Sequence, residues 1–145
     1  MFISEKNKKN LLRSLIIYLG ITAFIAVFGV VYERFGHGVV SLAMYLAFLY
    51  PLTLGCLVYL ALWLIKTKYM PSFLTQNIYN FGVAMLTCGS IFRGVVEIYG
   101  TPRETMCIAY VIIGSIFAGL AFLIFAINLL LKHFAKDKLE KKEIE

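Results

Sequence analysis

Charged side chains are scarce in this sequence. Asp, Glu, Lys and Arg make up 15% of its 145 residues, whereas apolar residues make up 61%, and the mean hydropathy is +0.83. Soluble domains contain about 25% charged residues, so this chain has too little polar surface for a water-soluble globule. The same composition excludes a disordered chain.

Cysteine and histidine are also rare, and motifs that carry chemistry are missing. The three cysteines, Cys56, Cys88 and Cys107, have neither the spacing of a redox motif nor the density of a disulfide scaffold. The sequence contains no nucleotide-binding loop, nucleophile elbow or zinc-type spacing. An enzyme is therefore the least favoured class, and we expect no catalytic residue, no cofactor and no metal.

Long apolar runs are what the sequence has instead. Crossing a hydrocarbon core of about 30 Å takes about 20 apolar residues in a helix. Four spans of this kind are predicted, at about residues 14–32, 39–65, 72–99 and 102–131. The runs do not alternate as barrel strands do. The fold prediction is an all-α integral membrane four-helix bundle, antiparallel and up-down.

The distribution of Lys and Arg predicts the orientation of this bundle. These residues are concentrated in the tails, 1–13 and 132–145, and in the turn at 66–68. Positive residues favour the cytoplasmic side, so we expect a multi-pass plasma-membrane protein with both termini in the cytoplasm. The second tail, 132–145, is expected to be helical. The partner these features indicate is the lipid bilayer, and no nucleic acid is expected.

Two local signals predict how the spans begin, end and bend. Gly100 suits the left-handed residue that ends a helix, and Thr101 with Glu104 forms a capping box that opens the last span. Pro51, inside the second span, removes a helix hydrogen bond and predicts a kink.

A short motif occurs twice. Residues 29–36 and 94–100 both read Gly-Val-Val-Glu-x-aromatic-Gly once Tyr32 is left out. Both copies end an odd-numbered span at the same membrane face. This pattern predicts two similar helical hairpins, related as the parallel repeats of some transporters are.

The candidate site is a cluster of charged residues at the outer ends of the spans. Arg93 lies within an apolar run, and Glu97 follows one turn later on the same face. An intramembrane ionisable residue is by default a functional hypothesis. The remaining members of this hypothetical ligand or ion-pair cluster are Glu33, Arg34 and His37. An internal ion pair that fixes helix packing is the structural alternative.

Two pairs of small residues have the spacing that lets membrane helices approach closely. They are Ser90 with Gly94 and Ser115 with Gly119. We expect them to pack the third span on the fourth, with a homodimer contact as the alternative.

Three stretches resemble those of small four-span membrane proteins of Gram-positive bacteria: residues 32–39, 48–52 and 94–101. The resemblance implies a bacterial plasma membrane and transfers no activity. The functional hypothesis is a transporter or transporter subunit that uses the outer-leaflet Glu/Arg cluster. The alternative is an accessory or sensor protein, without transport of its own, that binds a larger membrane partner.

Overall fold

The computed structural model is mostly helical over the residues it describes. It describes residues 5–36, 38–64, 71–100 and 104–142, with the side chains of 9–36, 38–64, 71–100 and 105–131. The elements in chain order are α1 (Glu5–Phe35), α2 (Leu42–Tyr45), a π-helical segment (Pro51–Leu57), α3 (Val58–Leu64), α4 (Phe73–Tyr99) and α5 (Glu104–Lys142). These residues contain no strand, so the all-α prediction is confirmed.

Three stretches of helix in the described part of the chain are long and apolar enough to cross a membrane. They are Lys9–Phe35, Phe73–Tyr99 and Thr105–Leu131. Most of their side chains face outward from the protein, including many Leu, Ile, Val and Phe residues. Outward-facing apolar side chains are costly in water and favourable in lipid, so this surface is that of a membrane protein.

The second apolar run, predicted as one kinked span over 39–65, is divided. α2 ends at Tyr45, a turn follows at 46–48, and the π-helical segment begins at Pro51. Before Pro51 the backbone forms i→i−3 hydrogen bonds, from Leu49 N to Leu46 O at 3.0 Å for example. Because proline has no N–H and its ring would clash with the carbonyl four residues earlier, a regular α-helix does not continue through this point.

α4 and α5 form an antiparallel hairpin held by close backbone approach. A methyl group on Gly82 would lie 2.6 Å from Ala118 N, and one on Gly114 would lie 2.8 Å from Leu86 Cγ. Phe81 and Phe117 meet edge to face beside these glycines, with ring centroids 4.9 Å apart. Small residues thus bring the two helices together, as in other membrane helix pairs.

The predicted pair on α5 does not lie in this contact. Ser115 and Gly119 are exposed, and a methyl group on Gly119 would meet nothing within 4 Å. The contact runs through Gly114 and Ala118 instead, one residue earlier and so about 100° around the helix.

The divided run lies between α1 and α4 and is antiparallel to both. Contacts with α1 show the antiparallel order: Gly36 lies against Val39, Gly29 against Met44, and Tyr18 against Tyr59. Buried side chains from α1, the π-helical segment, α3 and α4 form the core: Leu11, Tyr18, Cys56, Tyr59 and Val83. The two ends of the molecule are named below by α4, as the Phe73 end and the Tyr99 end.

At the Tyr99 end, Gly100 closes α4. Its φ of 68° and ψ of 20° are left-handed, and its N–H bonds to the carbonyls of Val96 and Glu97. The predicted helix end is therefore confirmed. Glycine adopts this conformation without the Cβ clash of other residues. The capping box predicted at Thr101 and Glu104 lies outside the described side chains, as does His37.

Candidate functional site

One face of α4 holds α2 in place at the Tyr99 end. Ser90, Gly94 and Glu97 share this face because they are three to four residues apart. Ser90 Oγ donates a hydrogen bond to Ala43 O at 2.7 Å, and a methyl group on Gly94 would lie 2.5 Å from Met44 Cβ. The structure thus gives the predicted Ser90–Gly94 pair a different neighbour, α2 instead of α5.

Both oxygens of the Glu97 carboxylate are bonded. Arg93 Nε donates to Oε1 at 2.8 Å, across one turn of α4, and Ser41 Oγ donates to Oε2 at 2.6 Å. Ser41 is 1% exposed, whereas the side chains of Arg93 and Glu97 are 63% and 40% exposed. We name these three residues the Ser41–Glu97 cluster. Its buried hydrogen bond joins α2 to α4, and its ion pair faces outward.

Glu33 is not one of the hydrogen-bond partners of Glu97, which are Ser41 and Arg93. Its Oε1 is buried and has no hydrogen-bond partner within the described part of the chain. Arg34, next to it, is exposed. Of the five residues predicted to form one cluster, the structure brings together Arg93 and Glu97. A cavity of about 390 Å³ opens at the same end of the molecule, between the end of α1 and the end of α4, and Tyr32 and Tyr99 line it.

The first glycines of the two motif copies, Gly29 and Gly94, contact the same residue, Met44. Met44, 1% exposed, lies between Gly29 of α1 and Gly94 of α4, each close enough that a methyl group would touch Met44. Beyond this shared contact, the second helices of the two predicted hairpins differ in structure. α5 is a continuous helix, whereas its counterpart over 42–64 is divided.

A polar contact that the sequence analysis missed lies deeper in the molecule. Tyr18 and Tyr59 both donate hydrogen bonds to Asn80 Oδ1, each at 2.8 Å. The two tyrosine rings stack, with centroids 5.5 Å apart, and Gly55 leaves room for the Tyr18 ring. We name these three residues the Asn80 triad. The sequence feature that could have indicated this contact is Asn80 itself, a polar amide inside an apolar span.

The Asn80 triad lies at one end of a groove of about 450 Å³ between α1 and α4. We name it the α1–α4 groove. Pro51, where the π-helical segment begins, lines it, and Ala84, Thr87 and Cys88 line it further along α4. Its remaining lining is aliphatic and aromatic. Thr87 Oγ1 bonds to Val83 O within its own helix. Asn80 supplies the one side-chain amide among the residues that line the groove.

Among the described residues, no three His, Cys, Asp or Glu side chains come together as metal ligands would. Of the cysteines, Cys56 and Cys107 are buried and Cys88 is exposed. No family model, curated protein or solved structure matches this chain.

Proposed function

We propose that this chain crosses the membrane four times, with both termini in the cytoplasm, and acts as a small transporter or transporter subunit. The observation that carries the proposal is the divided helix over 42–64, whose π-helical segment begins at Pro51 in the lining of the α1–α4 groove.

Contacts along the divided run support a fourth crossing. Gly36 lies against Val39, Gly29 against Met44, and Tyr18 against Tyr59. The run therefore follows α1 over 18 residues of its length, about 27 Å at helical rise, which is close to the thickness of a hydrocarbon core. A surface loop would not follow a spanning helix over this distance.

Charge supports the orientation. With four crossings, the N-terminal tail, the turn at 66–68 and the C-terminal tail lie on one side, and these segments carry most of the Lys and Arg. The Tyr99 end then faces outward. Positive residues in short loops favour the cytoplasm.

Discontinuous helices favour transport over a purely structural role. Many transporters bind their substrates near the midplane, where a helix is interrupted and its backbone lines a cavity. π-helical turns are rare and are frequent at functional sites. Here the π-helical segment begins at Pro51, which lines the groove and follows the turn at 46–48 by three residues.

The charged residues divide into two roles under this proposal. Glu97 is bonded on both carboxylate oxygens and serves to position α2. Glu33, whose buried Oε1 lacks a partner among the described residues, is the acid left for a coupling cation.

Cys88 provides the test. It lines the groove and lies near the middle of α4, whereas Cys56 and Cys107 are buried. The experiment uses a variant with Cys56→Ala and Cys107→Ala in sealed vesicles of both orientations. A membrane-impermeant maleimide is added from outside, and Cys88→Ser is the control. A transport pathway admits water, so Cys88 is labelled from at least one side.

Failure of the impermeant reagent would contradict the proposal, provided that a membrane-permeant maleimide labels the same thiol. Cys88 would then face lipid alone. The accessory function would be favoured, and one observation already points toward it. The exposed Ser115–Gly119 pair on α5 offers a second membrane helix a surface for close approach. A homodimer or a larger membrane-protein partner would cover that surface.

A further inference from the structure

The α1–α4 groove has the composition of a binding site for a lipophilic molecule with one polar group. We infer that its ligand is an apolar molecule bearing a carbonyl-type hydrogen-bond acceptor, and that the Asn80 side-chain NH₂ binds this acceptor. The inference deepens the proposed function and rests on it, since the groove is the same.

The hydrogen bonds of Asn80 indicate an acceptor. Its Oδ1 receives both tyrosine hydroxyls, which leaves its NH₂ group without a partner in the described part of the chain. Asn80 lines the groove, so this donor is available to an occupant. An amide donor left unpaired in an apolar medium costs several kcal/mol. In a membrane there is little water to compensate, so a ligand carbonyl would bind here favourably.

The surroundings of Asn80 orient the amide before a ligand arrives. Two donors fix Oδ1, and the tyrosine rings that supply them are stacked on each other. Tyr59 is 2% exposed and Tyr18 is 7% exposed, so packing holds both rings in place. Because Asn80 Oδ1 already accepts two hydrogen bonds, the Asn80 side chain offers a ligand the donors of its NH₂ group. The triad therefore selects an acceptor on the ligand.

The rest of the groove selects an apolar body. Beyond Asn80 it runs along α4 to Ile91, about 16 Å at helical rise, between aliphatic and aromatic side chains. Its volume of about 450 Å³ lies within the range of small-molecule sites, about 300–1,000 Å³. Such a shape suits a chain or a flat ring system with a carbonyl at one end.

A pair of photoreactive probes tests this. One is a fatty-acid methyl ester with a diazirine near its far end, and the other is an alkane of equal length with the same diazirine. The full chain is labelled in mild detergent and the labelled peptides are mapped by mass spectrometry. Because one hydrogen bond contributes about 0.5–1.5 kcal/mol, the ester should label residues 17–25 and 83–91 about 5-fold more than the alkane.

Three variants sharpen the result. Ala84→Phe fills the groove one helical turn from Asn80, and should abolish labelling by both probes. Asn80→Leu removes the amide, and should reduce ester labelling to that of the alkane. Ala109→Phe, an equal enlargement at an exposed position of α5, is the matched control and should change nothing. Equal labelling by ester and alkane in the wild type would overturn the inference, and so would undiminished labelling of Ala84→Phe.

Two sources can supply the carbonyl, and solvent extraction of the purified protein separates them. A phospholipid recovered in molar amount from the wild type but not from Ala84→Phe assigns the groove to an ester of bilayer lipid. A free lipophilic carbonyl compound recovered in the same way assigns it to a separate ligand. The proposed function fails separately: ester-selective labelling without maleimide access to Cys88 would leave a binding protein that does not transport.

Discussion

Ser41 Oγ donates a 2.6 Å hydrogen bond to Glu97 Oε2, and the same hydroxyl accepts one from Met44 N. The first bond crosses from the divided run to α4. The second caps the first turn of α2, where the backbone N–H groups of a helix otherwise lack partners. One buried hydroxyl therefore both starts α2 and fastens it to its neighbour. A charged residue that the sequence offered as a functional acid thus also forms a contact between two helices.

Ser41→Ala should lower the free energy of unfolding by about 1–3 kcal/mol, because a helix cap and a charge-assisted hydrogen bond are both lost. The measurement is a titration from mild detergent into SDS, followed by circular dichroism. Ser115→Ala, the same change at an exposed position of α5, is the control and should be neutral. Equal stability of the two variants would show that α2 does not depend on this hydroxyl.

Arg93→Leu should cost less than Ser41→Ala, about 0.5 kcal/mol in the same titration, because exposed ion pairs one turn apart contribute little. The Arg93 side chain is 63% exposed. The Ser41–Glu97 hydrogen bond survives this change, so α2 keeps its attachment to α4. If Arg93→Leu proved the more damaging variant, the ion pair and not the buried hydroxyl would hold this end together.

The three long helices were predictable because contact with lipid is a matter of composition and length. The break in the second run was not, because Pro51 is compatible with a kinked helix as well as with a divided one. Packing decides between them. Met44 fits between Gly29 and Gly94, and α2 must end soon after it.

The faces used for packing were also beyond prediction from the sequence. On α5, Gly114 with Ala118 and Ser115 with Gly119 have the same spacing and similar size, so composition does not choose between them. The Asn80 triad shows a second limit. Asn80 was recognisable as an amide in an apolar span, but its partners lie 62 and 21 residues away in sequence.

Gly94→Ala and Gly119→Ala test whether the two predicted small-residue pairs both take part in helix packing. The new methyl group of Gly94→Ala would lie 2.5 Å from Met44 Cβ and 2.9 Å from Met44 N, so the backbone of α2 must move. Overpacking of this kind costs about 1–3 kcal/mol, which the unfolding titration would detect. Gly119→Ala, whose methyl group meets nothing within 4 Å, should retain full stability. Comparable losses in both variants would mean that the exposed face of α5 is also covered.

The tyrosines of the Asn80 triad should behave non-additively. Tyr18→Phe and Tyr59→Phe each remove one donor to Asn80 Oδ1, and each should cost about 1 kcal/mol. The double variant leaves that oxygen without a partner, so its loss should exceed the sum by about 1 kcal/mol. Tyr45→Phe, at an exposed position, is the control. Strict additivity in a double-mutant cycle would show that the two hydroxyls do not share their acceptor.

Single cysteines on either side of the divided run decide whether it crosses the membrane. In a chain with its native cysteines replaced by alanine, Val40→Cys introduces a thiol at an exposed position beside Ser41. Lys66→Cys introduces one two residues beyond Leu64, where α3 ends. Because α2 and α3 lie at opposite ends of α1, an impermeant maleimide should label Val40→Cys only in right-side-out vesicles and Lys66→Cys only in inverted ones. Labelling of both from the same side would make the run a re-entrant segment, and the charged tails would then lie on opposite sides of the membrane.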